Sequence, residues 1–396
     1  MAVIPPEKLV SIKPTVFNDP KIRAVVFQAI MLLAVVAFFV YIINNILHNL
    51  EQRGISTGFD FLMTEAGFGI IQSLIEYNEN STYGHTFIVG LLNTILVSTL
   101  GIIFATILGF TIGIARLSRN WLVAKLASAY IEIFRNIPLL LQIFFWYFVV
   151  LRALPHPRQS LEFGDAVFLN LRGLYLPEPV FEQGFWLVGF FVLVAIILVM
   201  ALRRWAKHRF ERTGKPFPVF MVATALLLGL PLLALLVTGI PLSWNIPQFK
   251  GFNFRGGIVV IPELTALLFA LSIYTAAFIA EIVRSGIQAI NYGQTEAAYA
   301  LGLRRSHTLR FVIIPQAMRV IIPPLTSQYL NLTKNSSLAT AIGYPDLVAV
   351  FAGTTLNQTG QAVEIIAMTM AVYLTISLLI SLFMNWYNRK VMLVDK

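Results

Sequence analysis

The chain has 396 residues, of which 57% are hydrophobic and 12% are charged, and its formal net charge is +10. Soluble domains carry about 25% charged residues, so this composition excludes an ordinary soluble domain, a disordered chain and a nucleic-acid-binding module, and it favours a protein embedded in lipid. In a membrane protein an excess of Lys and Arg reports topology. The absence of cysteine from the sequence excludes disulfides, thiolate nucleophiles and zinc–thiolate sites.

Windows of about 20 predominantly apolar residues, the length that crosses a bilayer, predict eight transmembrane helices. They cover residues 24–43, 86–115, 131–151, 183–202, 216–242, 264–280, 320–341 and 365–386. The seventh window is the weakest, because Pro323, Pro324 and Lys334 interrupt it. In the second window, small residues recur at four-residue spacing and predict a close contact with another helix. These small residues are Ala105, Gly109 and Gly113.

The distribution of Lys and Arg predicts the orientation of these helices. The cations concentrate in residues 1–23, 116–130, 203–215, 284–319 and 389–396. The loop at 44–85 carries five carboxylates against a single cation, Arg53. Both termini are therefore predicted on the cytoplasmic side, and the loops at 44–85 and 152–182 on the periplasmic side. The short basic segment 203–215 is expected to touch lipid headgroups.

Residues 291–319 are too charged to cross a membrane, and they predict a short helix–turn–helix between the sixth and seventh spans. Asn291 followed by Gln294 is typical of a capping box at a helix start. Gly302 provides the left-handed position that ends such a helix. A second helical stretch is expected to end at Pro315, because proline blocks regular continuation of a helix.

The first of these two short helices carries small residues on its surface. Ala297 and Ala298 are expected to form a low ridge that can enter a groove on another protein, with Glu296, Arg304 and Arg305 orienting it. On this reasoning alone, the segment is either a docking surface for another protein or a connector between two spans, and both alternatives remain.

The same stretch resembles the signature loop of ABC importer permeases, in which Glu-Ala-Ala is followed by three residues, Gly, nine residues and Ile-x-Leu-Pro. Here residues 296–298 read Glu-Ala-Ala, and Gly302, Val312, Ile314 and Pro315 occupy the remaining positions. The replacement of Ile by Val and of Leu by Ile is a mild departure from the pattern.

Four other stretches narrow this resemblance to the amino-acid uptake permeases. They are residues 90–120, 134–147, 271–290 and 331–343. The departures from the family pattern are Asn136, Ile137, Asn335 and Ser336. The first span and the inserted helix pair at 183–242 are additional to the usual core, and this layout resembles the larger permease subunits of the general L-amino-acid importers.

The resemblance implies an all-α polytopic membrane protein of about eight transmembrane helices, in which a five-helix type I importer core carries three extra helices. It divides the chain into a first helix with its flanking segments at 1–85, a first part of the core at 86–151, inserted loops and the extra helix pair at 152–260, and the rest of the core at 261–396. The residues that it implies for coupling to an ATPase are Glu296, Ala297, Ala298, Gly302, Leu303, Arg304 and Pro315.

The partners that the resemblance implies are a homologous second permease subunit, a dimer of ATP-binding subunits and a periplasmic amino-acid-binding protein, assembled in the bacterial inner membrane. The sequence has no GxxxxGK followed by Ser or Thr, the motif that holds nucleotide phosphates. ATP and Mg²⁺ are therefore expected in the partner subunits. This chain is expected to hold no cofactor, no metal and no catalytic residue, and not to be an enzyme by itself.

An amino acid is zwitterionic, so its passage requires hydrogen-bond donors for the carboxylate and acceptors for the ammonium. The polar candidates at membrane depth are Asn93, Thr94, Gln142, Tyr274, Gln328, Asn331, Lys334 and Asn335. Interhelical hydrogen bonds are the favoured alternative for Asn93 and Thr94, and a structural pair or tether is an equal alternative for Lys334. Glu281 and Arg284 fall near the predicted cytoplasmic exit, where a gate or an interface pair is expected.

The principal alternative function is an ion-coupled secondary transporter, which commonly requires a carboxylate inside the membrane. The carboxylates Glu132, Glu263, Glu281 and Glu364 all fall near predicted span ends, which disfavours this class. A membrane-embedded enzyme is a further alternative. It is disfavoured because the five histidines include no HExxH pair and no acidic cluster resembles a metal site.

Overall fold

The computed structural model describes residues 20–52, 54, 57–239 and 242–391. The predicted cytoplasmic placement of the two termini therefore falls largely outside the described residues. The helices, in chain order, are α1 Pro20–Gln52, α2 Tyr83–Arg116, α3 Trp121–Asn136, α4 Leu139–Phe144, α5 Phe185–Thr213, α6 Val219–Val237, α7 Pro262–Gln288, α8 Tyr292–Ala300, α9 Arg305–Thr308, α10 Ile314–Asn335, α11 Leu356–Thr359 and α12 Ala362–Val391.

Within the described residues, seven helices are long and apolar enough to cross a bilayer, and the bent pair α3–α4 makes an eighth span if it is counted as one. The helical polytopic membrane fold is thus confirmed. The core consists of five of these spans, namely α2, the α3–α4 pair, α7, α10 and α12. The other three are α1, which buries 0% of its apolar window in the chain, and the hairpin of α5 and α6, which pack chiefly against each other.

The tightest contact in the core joins α2 to α7. A Cβ atom added at Gly109 would lie 2.6 Å from the side chain of Ile279, and one added at Gly113 would lie 2.7 Å from the carbonyl oxygen of Ala280. No side chain fits at such distances, so glycine at these two positions allows the two backbones to approach. The close helix contact predicted from the small-residue spacing is confirmed.

The third predicted span, 131–151, is not one straight helix. The axes of α3 and of the helical segment that follows it differ by 105°. The bend lies at Ile137, whose ψ of 128° is extended, because the ring of Pro138 disfavours a helical conformation of the residue before it. The segment then continues from α4 through a π-helical stretch, Phe145–Val150, into a short 3₁₀ turn.

The predicted stop at Pro315 is wrong. A π-helical stretch, Leu309–Ile313, connects α9 to α10, and the helical segment runs on from Arg305 to Ile342. Such a stretch holds one extra residue per turn, and this widening accommodates the proline ring in the first turn of α10. Pro323 and Pro324 also lie inside α10 without ending it.

In the part of the chain that the structure describes, eight short antiparallel strands lie in the loops beside the α5–α6 hairpin. They are β1 Leu161–Phe163, β2 Val167–Asn170, β3 Gly173–Leu176, β4 Glu178–Phe181, β5 Leu242–Asn245, β6 Gln248–Lys250, β7 Asn253–Arg255 and β8 Ile258–Val260. They pair as β1–β2–β3–β8, β4–β5 and β6–β7. We call residues 156–182 and 242–260 the β subdomain. Its strands have three or four residues each, which is too few for a recognisable alternation of apolar and polar residues. The sequence therefore did not predict them.

Candidate coupling site and membrane passage

We call residues 291–315 the coupling elbow. Its first helix, α8, begins at Asn291, whose Oδ1 accepts a hydrogen bond from the backbone N–H of Gly293 at 2.9 Å. The predicted capping box is only half formed, because the side chain of Gln294 accepts a hydrogen bond from Gln316 Nε2 at 3.3 Å. Gln294 therefore connects α8 to the first turns of α10.

The helix α8 ends as the sequence predicts. Gly302 has a φ of +75°, and its backbone N–H donates to the carbonyl oxygen of Tyr299 at 2.9 Å. The backbone N–H of Leu303 donates to the carbonyl oxygen of Ala298 at 3.1 Å. These two bonds satisfy carbonyl groups at the helix end and hold the chain in a tight turn before α9.

The exposed face of the elbow differs from the predicted ridge. Ala298 is 3% exposed and packs inward, so the expectation that both alanines project is wrong for this residue. Ala297 and Glu296 are exposed, and Tyr292 and Leu301 are large apolar side chains with 70% and 81% exposure. Helix α8 and the turn after it therefore present exposed apolar side chains together with one carboxylate, that of Glu296.

The remaining residues predicted for coupling are Leu303, Arg304 and Pro315, and Arg305 was predicted to orient the alanine ridge. Arg304 and Arg305 are exposed at the start of α9, whereas Leu303 and Pro315 are half-buried. Because α8 packs against the Leu309–Ile313 turn, the elbow is a folded unit between α7 and α10. This arrangement could transmit a displacement of α8 to both helices.

The predicted gate or interface pair lies at the elbow end of α7. Arg284 Nε donates to the two carboxylate oxygens of Glu281 at 3.2 and 3.1 Å. The same carboxylate pairs with Arg116 at the end of α2, and Arg116 Nη2 lies 3.9 Å from Glu132 Oε1 on α3. Glu281 and Arg284 therefore belong to an ionic cluster that ties α2, α3 and α7 together within the chain.

Asn93 and Thr94 connect α2 to the loop at 343–347. Asn93 Nδ2 donates to the carbonyl oxygens of Gln72 and Pro345, both at 2.9 Å. Thr94 Oγ1 accepts from the backbone N–H of Leu347 at 3.0 Å. Both side chains are buried. Their partners lie in loops and not on a second helix, so these bonds are structural contacts within the chain but not the interhelical bonds that the sequence favoured.

Gln142 and Tyr274 make contacts within the core of the chain. Gln142 is buried, and its Nε2 donates to the carbonyl oxygens of Phe134 and Ile137 at 3.1 and 3.0 Å. It therefore fastens the bend between α3 and α4. Tyr274 is half-buried, with its ring 5.0 Å from that of Phe278.

The remaining pathway candidates lie on α10. Asn331 and Lys334 are exposed on one helix face, and Gln328 and Asn335 are half-buried beside them. Among the residues described, Lys334 makes no ion pair with a carboxylate. A polar stripe in lipid is costly and usually faces a cavity or another subunit, so this face of α10 is the best placed of the candidates to border a passage.

Asp346 is a buried carboxylate that sequence reasoning missed. Its Oδ1 accepts from the backbone N–H of Ala349 at 2.8 Å and its Oδ2 accepts from Tyr373 OH at 3.3 Å. It lies in the loop at 343–347, which packs so closely on α2 that a Cβ at Gly90 would be 2.9 Å from the Cα of Leu347. The only sequence signal was the Gly-Tyr-Pro-Asp run, which is typical of a turn.

Several known proteins are similar in sequence to this chain over almost its full length. The family described as "Binding-protein-dependent transport system inner membrane component" matches residues 185–393. YhdX of Escherichia coli is 59% identical, over 96% of this chain and 97% of that protein. AapQ of Rhizobium johnstonii, a general L-amino acid transport system permease protein, is 53% identical over 96% and 94%.

A third relative, BztB of Rhodobacter capsulatus, is a permease protein of a glutamate/glutamine/aspartate/asparagine transport system. It is 44% identical, over 96% of this chain and 96% of that protein. The coupling elbow lies within the residues that the family matches. This chain therefore belongs to the inner membrane components of binding-protein-dependent transport systems, the permeases of ABC transporters.

Proposed function

We propose that this chain is a transmembrane permease subunit of an ATP-driven importer of L-amino acids. Its membership of the permease family supports the ATP-driven class over the ion-coupled carrier. The names of AapQ and BztB support amino acids as the substrate class. The chain receives its substrate from a periplasmic binding protein, and both of its termini are cytoplasmic.

The proposed partners are inferred from the missing phosphate-binding motif and from two exposed surfaces, the polar face of α10 and the coupling elbow. A second, homologous permease subunit covers the polar face of α10 and completes the passage. Two ATP-binding subunits hold ATP and Mg²⁺ and dock on the coupling elbow, because this sequence has no phosphate-binding motif of its own.

The observation that carries the proposal is the exposed, folded elbow between two core helices. Glu296 and Ala297 are exposed on α8, while the turn at Gly302 and the packing on Leu309–Ile313 fix α8 relative to α10. A partner that moves α8 therefore displaces the ends of α7 and α10 together. Nucleotide binding then shifts a two-state packing equilibrium between outward and inward access.

The substrate passage in this proposal lies along the exposed face of α10. Gln328, Asn331, Lys334 and Asn335 supply amide and ammonium groups there, which suit the carboxylate of an amino acid. Asn93, Thr94 and Gln142 support the passage indirectly, since their hydrogen bonds hold the loop at 343–347 and the bend before α4.

A charge reversal on the elbow tests this function. In proteoliposomes that contain the whole transporter, with binding protein and labelled L-glutamine outside, Glu296→Lys should lower ATP-driven uptake at least tenfold, because the partner groove then meets a cation in place of a carboxylate. Glu211→Lys is the matched control, since Glu211 is also exposed but lies on α5, and it should leave uptake unchanged.

The competing class gives the opposite pattern. Uptake that persists when the ATP-binding subunits are inactivated, and that collapses when the proton gradient is dissipated, would establish an ion-coupled carrier. Retention of uptake by Glu296→Lys would remove the elbow from the coupling mechanism.

A further inference from the structure

A cavity of about 600 Å³ lies between the β subdomain and the end of the core that is opposite the coupling elbow. Two core elements border it: the segment that follows α4, which supplies Tyr147 and Arg152, and the first turn of α7, which supplies Glu263. The β subdomain contributes Arg172, Tyr175 and Phe254. The proposed function leaves this cavity without a role.

A cation, Arg152, and a carboxylate, Glu263, line the core side of the cavity without forming an ion pair with each other in the described structure. The guanidinium of Arg152 lies over the ring of Tyr147, 5.6 Å from its centroid. The hydroxyl of that same tyrosine donates a hydrogen bond to Glu263 Oε1 at 2.8 Å. Across the described part of the chain, neither Arg152 nor Glu263 has an ion-pair partner. Tyr147 thus contacts both a cation and a carboxylate, which line the same cavity. The Arg152 guanidinium also lies over the ring of Phe148, 5.2 Å from its centroid.

The β subdomain supplies a second cation and an aromatic floor. Arg172 Nη1 donates to the carbonyl oxygen of Phe252 at 3.2 Å, which fixes its side chain at the rim. Tyr175 and Phe254 are 2% and 8% exposed, with ring centroids 4.9 Å apart. Tyr175 is held by a hydrogen bond from its hydroxyl to Asn253 Oδ1 at 2.8 Å.

This combination matches one chemical class. A guanidinium binds a carboxylate through paired N–H donors, a carboxylate accepts the N–H groups of an ammonium, and an apolar floor accommodates a side chain. An α-amino acid carries a carboxylate, an ammonium and a side chain on one carbon atom.

We propose that this cavity is an entrance site that binds the zwitterionic group of a free α-amino acid before it enters the membrane passage. Arg152 and Arg172 bind its carboxylate and Glu263 binds its ammonium. The identity of the ligand rests on the proposed function. Because Glu263 begins α7, the site connects directly to a helix that also carries the ionic cluster at its other end.

Equilibrium binding to the complete transporter in lipid nanodiscs, without the binding protein, tests the proposal. Labelled L-glutamine should bind, and unlabelled L-glutamine should displace it, whereas N-acetyl-L-glutamine, which has no ammonium, should not. This comparison uses the wild-type chain and is independent of any variant's folding.

Substitutions then locate the site. Glu263→Gln and Arg152→Gln should each weaken L-glutamine binding at least tenfold. Arg158→Gln is the matched control, because Arg158 also lies over an aromatic ring, that of Phe252 at 5.7 Å, but lines a neighbouring cavity. It should leave the affinity unchanged.

Displacement by N-acetyl-L-glutamine as effective as that by L-glutamine would overturn the proposal, as would unchanged affinity in both Glu263→Gln and Arg152→Gln. ATP-driven uptake with binding protein present separates this failure from that of the proposed function. If uptake is normal in the wild type while binding ignores these residues, the entrance site fails and the importer function stands. If wild-type uptake is absent, the importer function fails and the binding comparison still decides the site.

Discussion

Single residues at the α2–α7 contact set how closely the two helices pack. Gly109 has no space for a side chain, since the side chain of Ile279 and the carbonyl oxygen of Ala276 occupy it. Gly189 on α5 is also a helical glycine, but no described atom lies within 4 Å of a Cβ added there. Both glycines thus lie inside a helix, but only Gly109 is closely packed against a neighbouring helix.

This difference predicts opposite effects of the same substitution. Gly109→Ala should destabilise the protein by about 1–3 kcal/mol, the usual cost of overpacking a filled interior. Gly189→Ala should leave stability unchanged or raise it slightly, since alanine favours a helix over glycine. Thermal unfolding of the purified complex in detergent measures both, and equal melting temperatures for the two variants would contradict the packing argument.

Two residues show what the sequence could not predict at the scale of single side chains. Ala298 belongs to the same motif as Ala297, but the 3.6-residue period of α8 turns only one of them outward. Asp346 belongs to no motif or periodic pattern in the sequence. Its burial results from the packing of its loop on α2, which the sequence does not show. Gly302, in contrast, was predictable because few residues other than glycine adopt a positive φ.

At the scale of elements, the turn that ends α8 depends on the backbone conformation of Gly302 more than on packing around this residue. Gly302 has a φ of +75°, yet no described atom lies within 4 Å of a Cβ added there. A β-branched residue would therefore be resisted by the left-handed backbone, at about 1–2 kcal/mol, and not by a clash. Gly214 ends α5 with a φ of +66° and has the same open surroundings.

These two glycines allow a matched test of coupling. Gly302→Val should reduce ATP-driven uptake severalfold, because the turn that fixes α8 to α9 is strained, while Gly302→Asn should retain most of it, since asparagine tolerates the left-handed region. Gly214→Val imposes the same backbone cost away from the elbow and should retain uptake. A loss of uptake in Gly214→Val as large as in Gly302→Val would show that the effect is not specific to the elbow.

The approximate positions of the long helices followed from hydropathy, but their ends and the joints between elements did not. Helix α5, for example, does not end near residue 202 but runs to Thr213 through most of the basic segment 203–215. The bend at Ile137 directly precedes Pro138, and the π-helical stretches adjoin α4 and α10. A hydropathy window averages over such changes in backbone geometry. The strands of the β subdomain pair segments that are far apart in sequence, such as β3 with β8. Pairings of that kind leave no local pattern.

On the scale of the whole molecule, the α5–α6 hairpin is inserted between two paired strands. Phe181, at the end of β4, lies opposite Leu242, at the start of β5. The hairpin crosses the membrane twice, so its removal keeps the orientation of everything after it. Both ends of the insertion therefore meet at one place, which a two-residue turn can close.

A shortened chain tests the independence of this hairpin. Replacement of residues 182–241 by Asn-Gly should give a protein that inserts, assembles and retains ATP-driven uptake within about threefold, because the hairpin packs chiefly on itself and the type I′ turn suits the β4–β5 pair. Uptake and size-exclusion profiles of the purified complex are the measurements. Failure to assemble, with normal insertion, would show that the hairpin holds a partner subunit.

The glycine-mediated contact and the ionic cluster join the last third of α2, from Gly109 to Arg116, to the second half of α7. This pair therefore forms a fixed reference frame against which the rest of the transport cycle can be measured. The sequence contains no cysteine, so single cysteines can carry spin labels without prior editing of the chain. Distances between labels on α2 and α7 should stay constant through the nucleotide cycle, while distances from either helix to α10 report the opening and closing of the passage.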